Sequence, residues 1–194
     1  MNQPEIEFFF DIGSPYSYLA ATQIDGLGER TGARIRWRPF LLGGVFKATK
    51  NVAPATVQAK AKWMLEDLAL WATLYDAPFK LNSKFPLNTI TTMRVIAGAA
   101  ETTVPALTLA LFDAMWADDL DVSSPDVIRQ VAESIELDGD SLLEAAAAQE
   151  TKDLLRATPD EAVARGAFGA PTFFVGERMF WGNDRLPIIE AVLA

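Results

Sequence analysis

An apolar, aromatic segment at residues 6–10 leads through Gly13 into a Ser-Pro pair. The segment is short, so it predicts a strand buried on at least one face, and Gly13 predicts the turn that ends it. Ser14 before Pro15 is a typical helix start, because serine accepts hydrogen bonds from free amides and proline suits the first helical position. The sequence therefore places Ser14 where a strand passes into a capped helix.

In this prediction Ser14 lies at the positive end of a helix dipole, where backbone amides have no helical partners. Such a position suits an anion, for example a thiolate or a carboxylate. The alternative is that Ser14 only caps the helix, and the motif alone leaves both interpretations open.

Composition limits the chemistry that this chain can perform with its own side chains. Its 194 residues contain no cysteine and no histidine, and 50% of them are hydrophobic. The apolar content supports one sizeable core, or a smaller core with an inserted lobe. The missing residue types exclude disulfides, thiol nucleophiles and thiolate metal sites, and they remove the commonest metal ligand and general base. We therefore expect no metal, and any thiol chemistry must use a borrowed thiol.

The first residues and the net charge restrict location and partners. Residues 2–5 are not a basic segment followed by an apolar one, and no uninterrupted apolar stretch is long enough to cross a bilayer. We therefore expect a cytoplasmic protein with no membrane partner. The net charge of −9 argues against nucleic acid as a partner, because phosphate binding needs a positive field.

One segment departs from this acidic balance. Residues 30–65 contain no Asp or Glu but carry eight cations, namely Arg30, Arg34, Arg36, Arg38, Lys47, Lys50, Lys60 and Lys62. Such a segment is suited to collecting a small anion. The arginines also alternate with Ile35 and Trp37, which fits the solvent face of a strand equally well. For the lysines both interpretations stay open.

The predicted elements follow the order strand, helix, strand, a long helical block, two strands and a helix. The first three lie at residues 6–10, 15–30 and 33–39, and a loop follows at 41–54. Periodic apolar residues and cap-Pro pairs predict helices that begin near residues 57, 88, 103, 124, 140 and 158. Strands follow at 172–175 and 179–181, and Asn183 or Asp184 is expected to cap a last helix. We assign residues 1–42 and 167–194 to one discontinuous domain and residues 43–166 to an inserted helical domain.

This order resembles the α/β thioredoxin fold, a βαβ unit joined to a ββα unit, and the helical block resembles the insertion of the disulfide-oxidoreductase A branch. In that branch the first helix opens with Cys-x-x-Cys, where this chain has Ser-Pro-Tyr-Ser at residues 14–17. Composition therefore excludes dithiol redox chemistry. The chain resembles more closely the 2-hydroxychromene-2-carboxylate isomerases and the kappa-class glutathione transferases. The matching segments are residues 14–20, the loop with Lys47 and Asn51, residues 169–175 and residues 180–186.

The resemblance implies a glutathione site and the residues that form it. Ser14, the catalytic residue, would approach the glutathione sulfur, and Lys47 would bind the substrate. The other cofactor-binding positions are Asn51, Lys60 of the following helix, Ala170 through its backbone, Pro171 with an expected cis peptide bond, and Asn183 and Asp184 at the amino acid end of glutathione. Lys62 competes with Lys60 for its role. Each position also has a structural interpretation, such as a turn for Asn51 or a helix cap for Asp184.

The resemblance also implies a reaction, the interconversion of 2-hydroxychromene-2-carboxylate and trans-o-hydroxybenzylidenepyruvate in aromatic hydrocarbon catabolism. A glutathione thiolate would add to the conjugated alkene, allow rotation about the resulting single bond and leave. One alternative is a kappa-like glutathione transferase or peroxidase, and another is a non-catalytic thioredoxin-like binding domain. We further expect a small aromatic carboxylate substrate and a homodimer. Five side chains are candidates for an aromatic pocket, although they fit a core equally well: Trp63, Met64, Trp71, Phe85 and Trp116.

Overall fold

The computed structural model describes residues 3–194, and its sheet is built from both ends of the chain. Strand β1 (Glu5–Phe10) leads into helix α1 (Pro15–Thr31), and strand β2 (Arg34–Pro39) returns parallel to β1. Strands β3 (Thr172–Val175) and β4 (Arg178–Trp181) form a hairpin, and β3 pairs antiparallel with β1. The strand order is β2-β1-β3-β4. Strand β1 is therefore central, which explains why its sequence is apolar on both faces.

Most of the remaining helices lie, in chain order, between the strand pair β1 and β2 and the strand pair β3 and β4. They are α2 (Leu42–Thr49), α3 (Gln58–Leu74), α4 (Ile90–Gly98), α5 (Val104–Trp116), α6 (Pro125–Ser134), α7 (Gly139–Ala147), α8 (Gln149–Ala164) and the last helix, α9 (Leu186–Leu193). Short 3₁₀ turns occur at Pro54–Thr56 and Asn183–Arg185. This is the α/β thioredoxin-like fold with a helical insertion that the sequence predicts. The division into domains at residues 42 and 167 stays a prediction.

The predicted loop at 41–54 is wrong over most of its length, because it contains α2. Gly43 and Gly44 weaken the sequence signal for a helix. The helix forms because Val45 is fully buried against the sheet and the backbone of Gly44 lies close to the ring of Pro159 in α8. Tertiary packing therefore outweighs local propensity here.

Two predicted helix starts are also wrong. Thr158 and Pro159 lie inside α8 rather than at its beginning, and Pro159 is accommodated there because its ring is buried against α2. Asn183 and Asp184 do not cap the last helix, which begins at Leu186 behind Arg185 with no side-chain cap. They form a 3₁₀ turn of their own instead.

The sheet has a hydrophobic core on each face. On one face, Phe8, Phe10 and Phe173 pack with the helices that include α1 and α5. On the other face, Phe9 and Phe174 pack with residues of α2 and α8. Burying each of these rings contributes on the order of 2 kcal/mol. Helix α1 lies on the first face and α2 on the second. The helices that follow β1 and β2 therefore begin at the same end of the sheet but on opposite faces. Within residues 3–194, no helix is both long and apolar enough to cross a membrane.

Candidate active site

Ser14 lies at the N-cap of α1, as the sequence predicts. Its backbone is extended (φ −102°, ψ 112°), and its Oγ accepts a hydrogen bond from the Ser17 amide at 3.2 Å. Pro15 follows at the start of the helix, and the first turn of α1 contains no acidic side chain. The positive end of α1 is therefore not neutralised by its own first turn, and this favours an anion there.

The loop before β3 brings Ala170 to Ser14 from the other end of the chain. The Ser14 Oγ lies 3.4 Å from the Ala170 carbonyl oxygen, which is long for a hydrogen bond from a hydroxyl. The Ala170–Pro171 peptide bond is cis, as the resemblance implies, and the Thr172 hydroxyl donates to the Gly169 carbonyl at 2.7 Å. The Ser14 proton is therefore only weakly held and is available to a better acceptor.

The turn between β1 and α1 is fixed by groups from the helical block. The Ile12 amide donates to Met93 Sδ at 3.3 Å, and the Ile12 carbonyl accepts from Trp116 Nε1 at 2.8 Å. The Ser14 amide donates to the Asp11 carbonyl at 2.9 Å. Both polar groups of the Ile12 backbone thus have partners, so this turn is well determined.

Asp11 is a buried carboxylate in the same turn, and the sequence analysis gave it no role. It is 5% exposed and accepts hydrogen bonds from the amides of Gly13 and Leu42, each at 2.8 Å, and from the Thr89 hydroxyl at 3.2 Å. Burial raises the pKa of Asp11, while these three bonds oppose that shift. The one sequence signal for it is an acid placed directly after a buried strand.

Asn183 and Asp184 lie together in the 3₁₀ turn after β4. Asn183 is 3% exposed, and its backbone carbonyl accepts from the Tyr75 hydroxyl at 3.0 Å. Within the part of the chain that the structure describes, its side-chain Nδ2 has no hydrogen-bond partner. The Asp184 side chain is 42% exposed and lies 3.5 Å from Arg185. This turn therefore offers a buried donor beside an accessible carboxylate.

Tyr16 connects this turn to the end of α1. Its hydroxyl donates to Asp67 of α3 at 2.8 Å. Burial and then the bond to Asp67 raise the pKa of Tyr16, and the charge of Asp184 adds to the effect. Helix α1 also packs against the 3₁₀ turn that contains Asp184. Asp184 therefore lies close enough to the first turn of α1 for its charge to act on Tyr16.

Asn51 is exposed, and both polar atoms of its side-chain amide form hydrogen bonds. Its Nδ2 donates to the Phe168 carbonyl at 2.9 Å, and its Oδ1 accepts from the Val52 amide at 2.9 Å. Asn51 therefore shapes a turn and also ties the segment after α2 to the loop that contains Ala170.

The lysines of the basic segment are exposed. Lys47 lies in the last turn of α2, and Lys60 and Lys62 lie at the start of α3. Among residues 3–194, none of the three forms an ion pair. Their positive charge is therefore not neutralised by a neighbouring carboxylate, and their roles stay predictions.

The arginines of β2 have the structural role that the strand pattern predicts. Arg34 pairs with Glu101 at 2.5 Å, and Arg38 pairs with Glu7 and Glu161. Their charge is used within the fold, so the anion-collecting interpretation is not needed for them.

The five aromatic-pocket candidates do not form one pocket. Trp116 is fully buried and its ring stacks on Phe79 at 6.0 Å, so it belongs to the core, whereas Trp63 is 60% exposed on α3. A groove of about 880 Å³ runs along the outer edge of β2, and it is lined by Arg34, Arg36 and Arg38 but by none of the residues assigned to the glutathione site. The predicted site residues lie instead where the amino end of α1, the loop before β3 and the turn after β4 meet, because Ser14 approaches Ala170 and the Gly182 amide donates to the Pro171 carbonyl at 3.0 Å. We refer to this junction as the cleft.

Comparison with known proteins gives consistent results along the whole chain. Residues 5–194 match the family model for the DSBA-like thioredoxin domain. The chain is 33% identical to a 2-hydroxychromene-2-carboxylate isomerase of Sphingobium xenophagum, over 97% of each chain. It is 28% identical to glutathione S-transferase kappa 2 of Caenorhabditis elegans, over 100% of this chain and 93% of that protein. A solved structure of a 2-hydroxychromene-2-carboxylate isomerase superposes with a TM-score of 0.89 at 27% identity, covering 97% of this chain and 94% of the other.

The alignment extends over the complete turn of Ser14, the loop of Ala170 and the turn of Asn183, which are the three segments that meet at the cleft. On this coverage and identity, the chain belongs to the 2-hydroxychromene-2-carboxylate isomerase family of DSBA-like thioredoxin-domain proteins.

Proposed function

We propose that this protein is a glutathione-dependent isomerase that interconverts 2-hydroxychromene-2-carboxylate and trans-o-hydroxybenzylidenepyruvate. The observation that carries the proposal is the position of Ser14, whose weakly held hydroxyl lies at the positive end of α1 in a chain with no thiol of its own. Relatives named as isomerases of this substrate align over almost the whole chain. A cytoplasmic location stays a prediction.

Groups at both ends of the cleft support glutathione as the ligand. At one end, the amino end of α1 and the Ser14 hydroxyl suit a thiolate. At the other end, the carboxylate of Asp184 suits the ammonium group of an amino acid. Asn183, whose Nδ2 has no partner within residues 3–194, is assigned to the carboxylate of that amino acid on the family resemblance. The backbone of Ala170 lies next to Ser14 and is positioned for the cysteinyl part. Asn51 and Lys60 are assigned to the same ligand on the family resemblance.

Bound in this cleft, glutathione supplies a thiolate that adds reversibly to the conjugated alkene and so allows rotation about a carbon-carbon bond. Ser14 donates its proton to the anion at the helix end and stabilises the charged form. Ser14 is not the attacking atom, because the chain has no histidine to activate it. Lys47, which is exposed and forms no ion pair within residues 3–194, is assigned to the carboxylate of the substrate.

The test of this function compares Ser14→Ala with Ser17→Ala, a serine of the same helical turn that is fully buried. Ser14→Ala is expected to bind glutathione but to lose most of its thiolate at neutral pH, and with it turnover. The readouts are the ultraviolet absorbance of the thiolate and turnover of hydroxychromene carboxylate. Ser17→Ala should keep both. An unchanged thiolate signal in Ser14→Ala would reject the role of Ser14.

Kappa-like glutathione transferase or peroxidase activity is the second candidate, and the kappa-class relatives favour it. Both activities need the same thiolate, so only the second substrate distinguishes them. Turnover of hydroxychromene carboxylate without turnover of a chlorinated aromatic acceptor or a hydroperoxide would assign the isomerase. A non-catalytic binding domain would show neither, and a titration followed by tryptophan fluorescence would show whether it binds glutathione at all.

A homodimer is part of the same proposal, and the outer face of α3 supports it. Trp63, Leu70 and Leu74 are 60%, 70% and 71% exposed, and their spacing of seven and four residues places them on one side of the helix. Exposed apolar stripes of this kind are typical of interfaces between subunits. Leu70→Lys is expected to produce a monomer in light scattering, while Leu154→Lys, at a position that is also 55% exposed but lies on α8, should not.

A further inference from the structure

The first amide of helix α2 is capped by a side chain from a different part of the fold. The N-cap position of α2, Leu41, provides no side-chain hydrogen bond. The amide of Leu42, the first residue of the helix, donates instead to Asp11 Oδ2 at 2.8 Å. Asp11 thus occupies the place of a capping carboxylate at the positive end of α2.

The same carboxylate holds the turn that leads to Ser14. Its Oδ1 accepts from the Gly13 amide at 2.8 Å and from the Thr89 hydroxyl at 3.2 Å. Asp11 forms no ion pair with any residue from 3 to 194, so oriented donors alone hold it. A single buried side chain therefore joins the Ser14 turn to the start of α2.

Helix α2 needs such an anchor because its own sequence stabilises it weakly. It has eight residues, two of which are Gly43 and Gly44, and Val45 is its one buried side chain. A helix of this length and composition does not persist without external contacts. Asp11 provides such a contact at its first turn, and α8 packs along its side.

The segment just beyond the carboxyl end of α2 is hydrogen-bonded to the loop before β3. Lys47 lies in its last turn, and Asn51, just beyond the helix, donates to the Phe168 carbonyl at 2.9 Å. Phe168 is two residues before Ala170, whose carbonyl faces the Ser14 Oγ. Helix α2 therefore spans from the Ser14 turn to the Ala170 loop, and its position sets where Lys47 lies relative to both.

We propose that Asp11 is a positioning residue that anchors α2 to the Ser14 turn and so places Lys47 for the substrate carboxylate. This inference rests on the proposed role of Lys47 in substrate binding. Asp11 acts through α2 and does not touch the reacting atoms. Its loss should therefore weaken binding of the carboxylate substrate and leave the thiolate at Ser14 intact.

The decisive variant is Leu42→Pro, which removes the N–H that Asp11 accepts, replaces the leucine side chain and places the proline Cδ where the hydrogen bond ran. Proline is favoured at the first position of a helix, and Leu41 already has the extended backbone (φ −86°, ψ 109°) that precedes proline. Leu42→Ala is the matched control, because it loses the side chain but keeps the N–H. Asp11→Asn is a second variant, since an amide oxygen can accept from one of the two amides but its nitrogen cannot.

We expect Leu42→Pro to raise KM for hydroxychromene carboxylate about tenfold with little change in kcat, and Leu42→Ala to change KM less than about twofold. The amides of α2 should lose protection against hydrogen exchange in Leu42→Pro and Asp11→Asn but not in Leu42→Ala. The thiolate absorbance of bound glutathione should stay unchanged. Unaltered protection of α2 in both Leu42→Pro and Asp11→Asn would overturn the proposal.

A double-mutant cycle with Lys47→Met separates positioning from a general loss of stability. If Asp11 acts through Lys47, Leu42→Pro in the Lys47→Met background should cost less than about twofold in KM, because the interaction is already gone. Additive costs would contradict the proposal. Lys47→Met alone tests the role of Lys47, so no effect of that single variant would reject the substrate assignment and leave the hydrogen-exchange result to decide whether Asp11 anchors α2.

Discussion

The turn at residues 11–14 and the turn after β4 differ in how completely their polar groups are satisfied. In the turn at residues 11–14, the amides of Ile12, Gly13 and Ser14 all have acceptors, and the Ile12 carbonyl has the Trp116 indole. In the turn after β4, the buried Nδ2 of Asn183 has no partner in the described chain, and the neighbouring carboxylate is exposed.

This difference indicates that the Ser14 turn positions a catalytic group, whereas the Asn183 turn binds a ligand. Buried polar groups that are fully bonded hold a single geometry, which a catalytic hydroxyl requires. A buried donor without a partner costs free energy in the free protein, and a ligand that accepts from it recovers that cost. We therefore expect changes in the Ser14 turn to reduce stability, and changes in the Asn183 turn to reduce affinity for glutathione.

The largest effect is expected for Trp116→Phe, which deletes the indole N–H that satisfies the Ile12 carbonyl. Trp116 is fully buried, so the change leaves an unpaired acceptor and a smaller ring in the core. We expect the free energy of unfolding to fall by about 2–4 kcal/mol, measured by urea unfolding followed by circular dichroism. The dissociation constant of glutathione should change less than threefold or so. A large loss of affinity with unchanged stability would contradict the division between the two turns.

The next largest effect is expected for Asp184→Asn, which should weaken glutathione binding but leave stability almost unchanged. Loss of a charge-assisted bond to the ammonium group of glutathione should weaken binding by about 1.5–3 kcal/mol, roughly ten- to hundredfold. Stability should change by less than about 0.5 kcal/mol, because the side chain is half exposed. Isothermal titration gives the affinity, and Glu190→Gln, a carboxylate of α9 that pairs with Arg30, is the control that should bind normally.

The sequence was sufficient to predict those structural elements that depend on local rules. Ser14 followed by Pro15 predicts the N-cap that the structure shows, and the β-branched and aromatic residues at 172–175 predict β3. The family resemblance added the cis peptide bond before Pro171. The contact between Ala170 and Ser14 lies at the end of the antiparallel pair formed by β1 and β3, which the structure shows.

The parts that could not be predicted depend on contacts between distant segments. Helix α2 is stabilised by Asp11 and α8 rather than by its glycine-containing sequence. Pro159 is a typical helix start by local rules, yet it lies within α8 against Gly44. The role of Asp11 depends on an amide 31 positions away. No pattern within a short window of sequence contains that information.

A smaller effect is expected for Tyr75→Phe, which removes the hydroxyl that donates to the Asn183 carbonyl at 3.0 Å. This bond joins the end of α3 to the Asn183 turn and helps to hold that turn in place. Its loss should reduce the free energy of unfolding by about 0.5–1.5 kcal/mol and weaken glutathione binding about threefold, since the turn must then be ordered by the ligand. Thermal unfolding and titration on the same preparation measure both. Unchanged affinity would show that the turn holds its geometry without Tyr75.

Asn183→Ala tests the comparison most directly, because its expected effect on stability is small although the residue is buried. Substitution of a residue that is 3% exposed normally costs stability, but here it also removes a buried donor that has no partner among the described residues. The two contributions oppose each other, so we expect the free energy of unfolding to change by less than about 1 kcal/mol. Binding of glutathione should weaken about three- to tenfold, because the lost amide no longer donates to the ligand carboxylate. A loss of more than about 2 kcal/mol in stability with unchanged affinity would show that the amide is already satisfied in the free protein, and the contrast between the two turns would then disappear.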